Sequence, residues 1–182
     1  MKSILITTLI FVAASLYAGD STEPTPGPTK DRVGFPEGYR TGYEVLRVVN
    51  KPDKKQVVTV YGNSGAAKVK APTDLPYPYG SVIVMETSDA VLDADGNPVK
   101  DESGHFKAGK AVGMHVMRRE KGFGEAYGKG RSGEWEYVEY KPDGSYITTP
   151  AKSGSCSECH VKAGEQRDFV YQGRIGGLIG KK

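Results

Sequence analysis

The chain has 182 residues and a formal net charge of +3, from 25 Lys and Arg against 22 Asp and Glu. The two signs are interspersed, which argues against a dedicated nucleic-acid surface. With 24 glycines, 11 tyrosines and an apolar fraction of 37%, the composition points to turns and strands rather than a helical bundle.

Residues 1–18, MKSILITTLIFVAASLYA, carry one early lysine, an apolar run from Ile4 to Val12, and small residues ahead of Ala18. This pattern reads as a secretory signal peptide cut after Ala18. The run is too short to span a bilayer comfortably. The expected product is therefore periplasmic or otherwise exported, with no membrane span once the signal is removed. Residues 19–34 are rich in Pro, Thr and Gly and are expected to form a flexible tether. The folded domain is expected over residues 35–182.

Short strands between turn residues follow. YEVLRVVN (43–50) and QVVTVYG (56–62) are the first two. In the second, Val57, Thr59 and Tyr61 share one face, and Val58 and Val60 the other. AAKVKAPTDLPYPYG (66–80) begins helix-like and ends in a proline-rich loop. SVIVMET (81–87) is a central strand, with Val82, Val84 and Glu86 on one face and Ile83 and Met85 on the other. Residues 89–109 form a turn-rich excursion. Asp93, Asp95 and Asn97 resemble the start of a calcium loop, but Pro98 stands where that loop needs glycine. A hairpin built on Asp-Gly and Ser-Gly turns is the better reading. AVGMHVMRRE (111–120) is another strand, and residues 134–149 read as a hairpin turned at Pro142-Asp143-Gly144. The segment from Ser153 is expected to be helical. The fold class is α+β: a predominantly antiparallel sheet with a few helices, one of them near the C-terminus.

That last helix carries CSECH, with both cysteines of the chain, Cys156 and Cys159, followed by His160. A disulfide across so small a loop contributes little. A zinc site needs about four ligands, and only His105 and His115 remain as further nitrogen donors. A thioredoxin-type pair belongs after a strand of a parallel fold. Cys-x-x-Cys-His is the attachment motif of a c-type haem. Cysteines three apart lie on one side of a helical turn and reach both vinyl groups. His160 is then the proximal iron ligand. The expected cofactor is one covalent haem c. An exported binding module with a cysteine redox pair is the alternative. Small helical cytochromes carry this motif near the N-terminus, so its position behind a strand-rich domain excludes their layout.

The ordered set FPEGYRTGYEVL, TVYGN, PYPYGSVIVMET, LDADGNPVKDESGHF, GEWEYVEY and the late CSECH is similar to the cytochrome P-460 family, which includes cytochrome c′-beta. The resemblance runs from about Phe35 to the C-terminal tail. It implies a mostly antiparallel domain, a homodimer and a five-coordinate haem. Members of that family oxidise hydroxylamine or bind nitric oxide. The resemblance thus implies a small nitrogen-oxide ligand or substrate, a redox partner protein, and an oxidoreductase or electron-transfer role. One departure stands out. The hydroxylamine-oxidising members cross-link a strand lysine to the haem, and Met85 occupies the matching position. Val58 likewise stands in place of an arginine of the second strand.

Met85 is therefore a candidate haem contact, or else a flexible core filler. Met114 and Met117 fall on opposite strand faces, so at most one of them meets the haem. His115 is a further distal candidate, while His105 sits in a polar turn. Trp135 and Tyr137 share a face and read as core with haem contact open to them. Arg118 and Arg119 are candidate partners of the propionates.

Overall fold

Alternation of apolar side chains gives each strand two distinct faces, and neighbours in sequence pair as a meander. The computed structural model describes residues 24–171 and 173–177. The expected signal peptide lies outside the described residues. Six strands form one sheet: β1 (Glu44–Lys51), β2 (Gln56–Gly62), β3 (Val82–Ala90), β4 (Ala108–Arg119), β5 (Trp135–Tyr140) and β6 (Tyr146–Thr148). Their spatial order is their chain order, and every adjacent pair is antiparallel. Two short α-helices accompany the sheet, α1 (Tyr39–Gly42) and α2 (Gly154–Val161). The architecture is α+β with a helix near the C-terminus, as the sequence indicates.

The register places the side chains as the alternation requires. Val58, Val60, Ile83, Met117, Trp135 and Tyr137 lie in one core cluster, with Met85 packed against it. Val82, Val84, Met114, Val116, Val138 and Tyr140 lie in another. Strands β3 and β4 run longer than the apolar pattern suggests, because their pairing continues through irregular register into polar residues as far as Ala90 and Ala108. The excursion between them closes on itself through bridges at Leu92–Pro98 and Lys100–Phe106. The Asp93 carboxylate accepts the N–H groups of Asp95 and Asn97 at 3.0 and 2.8 Å, which makes it a turn residue. The segment expected to begin helix-like does so only as a 3₁₀ turn, Ala66–Lys68.

The first face is closed at one end by Ala66, Val69, Tyr77, Tyr127, Val170 and Ile175. The second face is covered by the chain ahead of β1. Val33 and Tyr39 are buried there, and the Phe35 ring meets Tyr140 edge-on at 5.4 Å. Two buried carboxylates on this face are paired by arginines from the same segment. Arg32 holds Glu136, and Arg40 with the Tyr39 hydroxyl holds Glu86. Asp31 accepts from the Tyr140 hydroxyl at 2.5 Å. Residues 24–34, expected as a tether, thus lie against the domain. Buried Pro28 and Val33 hold them there together with the charged groups of Asp31 and Arg32.

The same segment crosses the start of α2. Thr25 bonds Glu158 through its hydroxyl, and a Cβ on Gly154 would stand 1.8 Å from the Thr25 carbonyl oxygen. Alanine ordinarily favours a helix over glycine by about 1 kcal/mol. At Gly154 the sign should reverse. We expect Gly154→Ala to cost about 1–3 kcal/mol through overpacking. Thermal unfolding and faster proteolysis within residues 24–31 would register it, and a gain in stability would refute the close crossing.

Candidate haem site

Helix α2 is anchored on one side and presents chemistry on the other. At 3.6 residues per turn, Ser153, Ser157 and His160 fall on one stripe, with Cys156 and Cys159 beside it. Ser153 and Ser157 are fully buried. Their hydroxyls donate to the Pro150 and Gly130 carbonyls, each at 2.7 Å. Those bonds use both serine protons and fix the direction of the rest. Tyr127 must donate to Ser153 at 2.9 Å, and Ser132 to Ser157 at 2.8 Å. Tyr137 then donates to Ser132 at 2.6 Å, while its own N–H donates to Tyr127 at 3.2 Å. Burial holds the Tyr137 phenol far above its ordinary pKa, so it stays neutral as this network needs. Two hydrogen-bonded chains therefore tie α2 to β5 and to the turn Glu125–Gly130.

His160 is oriented by three contacts. Its ring lies over Tyr137 with centroids 4.5 Å apart, and Tyr171 meets it edge-on at 5.6 Å. Its Nδ1 is 2.6 Å from the Phe169 carbonyl oxygen. A carbonyl can only accept, so Nδ1 carries the proton and Nε2 keeps the lone pair. Burial also lowers the His160 pKa, which favours the neutral imidazole. A neutral ring with Nδ1–H held by a backbone carbonyl is the form in which histidine binds a metal through Nε2. The Phe169 carbonyl owes its position to a tight turn. Asp168 and Phe169 both have positive φ, 47° and 61°. The Asp168 carboxylate accepts the Tyr77 N–H at 2.9 Å and lies 3.4 Å from Arg119 Nε.

The helix and the first sheet face enclose a cavity of about 400 Å³. Cys156, Cys159 and His160 line it together with Ile83, Met85 and Met117. His115 and Glu139 supply polar groups to its wall, with His115 Nδ1 2.6 Å from Glu139 Oε1. The hydrogen bond from His115 keeps Glu139 below the usual carboxylate range, against the opposing effect of burial.

Both cysteines are unbridged thiols. Burial pushes the Cys156 pKa up to about 11. Cys159 is exposed, so burial disfavours a thiolate, and with it zinc ligation or disulfide exchange, at Cys156 alone, where a thioether would carry no charge. Among the described residues no group of three or more His, Cys, Asp or Glu side chains gathers as a metal cluster. The thiols, the oriented imidazole and the apolar wall fit a covalently held haem. Cys156 and Cys159 would carry its thioethers and His160 would hold its iron.

A comparison with protein-family models matches residues 36–172 to Cytochrome P460. The chain belongs to the cytochrome P460 family. That membership makes it a haem protein of the monohaem cytochrome type. No curated protein matches the chain. In this cytochrome the sequence-derived candidates separate clearly. Met85, Met117, His115 and Tyr137 line the cavity. Met114 is core on the opposite face, and Trp135 is core with Tyr77 at the closed end. His105 stays in the excursion, where its N–H donates to Asp101. Arg118 and Arg119 already hold protein carboxylates: Glu120 at 2.9 Å for the first, Glu134 and Asp168 at 3.6 and 3.4 Å for the second. Ser132, Glu139 and the Phe169 carbonyl are the residues that sequence reading passes over. The i, i+4, i+7 spacing of Ser153, Ser157 and His160 is the signal in the sequence that could have found the buried hydroxyls.

Proposed function

We propose that this cytochrome is an exported monohaem c-type protein whose distal site takes nitric oxide or a related small nitrogen species. The cavity lining is the observation that supports this most. Apart from the motif it is walled mainly by Ile83, Met85, Met117, Val170 and aromatic rings. Such a wall suits a small uncharged ligand better than an ionic one. None of the residues lining this cavity is a lysine, and Met85 stands where the resemblance puts the cross-linking one. His160 is the donor whose orientation is fixed; His115 is 53% exposed and engaged with Glu139. A haem held here by Cys156, Cys159 and His160 would supply an iron able to bind a small ligand.

The test is optical and spin-state spectroscopy of the ferric, ferrous and nitric-oxide-treated protein. A high-spin ferrous form that changes on adding nitric oxide is expected, and a low-spin, ligand-saturated iron would overturn the reading. An electron-transfer cytochrome is the second reading, because Met85 and His115 line the same cavity as His160. In that case the wild type is low-spin, and Met85→Ala or His115→Ala converts it to high spin.

A further inference from the structure

We propose that Lys51 and Lys54 seat the propionates of the haem, so that two adjoining cavities form one site with an apolar end and a cationic end. The proposal rests on the haem reading above. A second cavity of about 300 Å³ lies beside the first, and Met85 lines both. Its walls include Lys51 and Lys54, with Val58 and Thr87. Both lysines are exposed, and neither forms an ion pair with another of the described residues.

Three observations point the propionates this way. The first is direction. In a haem the propionates leave from the edge opposite the vinyl groups. Cys156 and Cys159 fix the vinyl edge at α2, which packs on β5. The opposite edge therefore extends across β4 and β3 toward β2 and β1, the order of the sheet. From β5 to β2 is about 14 Å at the usual strand spacing, and to β1, which ends at Lys51, about 19 Å. The second is space. Val60, Tyr77 and Trp135 fill one end of this face, whereas the end toward Thr87 and Lys54 is open. The third is charge. Glu139 lines the cysteine end and repels a carboxylate placed there. Arg118 and Arg119, the other cations considered, are already paired with protein carboxylates.

Ammonium groups near the propionates favour the ferrous form, because reduction removes one positive charge from the haem. Their effect is screened by salt. The experiment uses the holoprotein as wild type, as the double variant K51Q/K54Q, and as K121Q, a control in the loop after β4. Intact mass first establishes that each carries covalent haem. Spectroelectrochemical titration at low and high ionic strength then reads the ferric–ferrous equilibrium. The double variant should shift it several-fold toward ferric and lose part of the salt dependence, while K121Q should match the wild type. A crystal structure of the holoprotein should place propionate oxygens within hydrogen-bond distance of the two ammonium groups. Covalent haem with an unmoved equilibrium, or an equal shift in K121Q, would overturn this proposal alone. Wild-type protein without covalent haem would overturn the haem reading and this proposal with it.

Discussion

Replacing His160 by alanine should leave haem on the chain while removing its protein nitrogen ligand. Cys156 and Cys159 are untouched by this change, so intact mass should still show the covalent adduct. The visible spectrum should alter, and added imidazole should restore it in part by filling the vacated space. The reason lies in how much of the fold is spent on that one ring. Tyr137 supports its face, Tyr171 its edge, and Phe169 its Nδ1–H. Loss of the stacking and the hydrogen bond should also lower the stability of the apoprotein by about 1–3 kcal/mol. An unchanged spectrum would mean that another side chain holds the iron.

The second large effect is expected at Trp135. Its side chain is fully buried and meets Tyr77 edge-on with centroids 5.6 Å apart. Trp135→Ala should cost about 3–5 kcal/mol, read by denaturant unfolding of the apoprotein. Trp135→Phe, which keeps a ring against Tyr77, should cost clearly less. The damage should reach the haem ligand. Tyr77 donates its N–H to Asp168, and Asp168 adjoins the carbonyl that orients His160. The holo form of Trp135→Ala should therefore show a heterogeneous axial environment by electron paramagnetic resonance. A loss below about 1 kcal/mol would show that the site collapses around the missing ring.

The sheet was legible because alternation is a strong signal where both faces are covered. QVVTVYG and SVIVMET sort their side chains as the structure does, including Glu86 on the face of Val82 and Val84. The burial of that carboxylate was not legible. It depends on Arg40 and Tyr39, which lie 46 and 47 residues away in sequence. The motif Cys156–His160 announced a haem by its residue types alone. What orients it did not show, because the orienting group is a backbone carbonyl. A carbonyl is present at every position, and only the two left-handed residues at 168 and 169 aim this one. The second cavity was hidden for a related reason. Nothing in the sequence marks Lys51 and Lys54, which share a cavity wall with Met85 only through the sheet order.

The crossing of Thr25 over the start of α2 also bears on the order of assembly. The meander forms from neighbouring segments, and such local contacts are the quick ones. Thr25 and Glu158 are separated by 133 positions, so their meeting closes nearly the whole described chain. Closure of that clasp should therefore follow the sheet. Until it closes, the start of α2 lacks the cover that Thr25 gives Gly154. Gly154→Ala, by holding the clasp open, would lengthen that interval, and the time at which residues 24–31 gain protease resistance during refolding would report the difference.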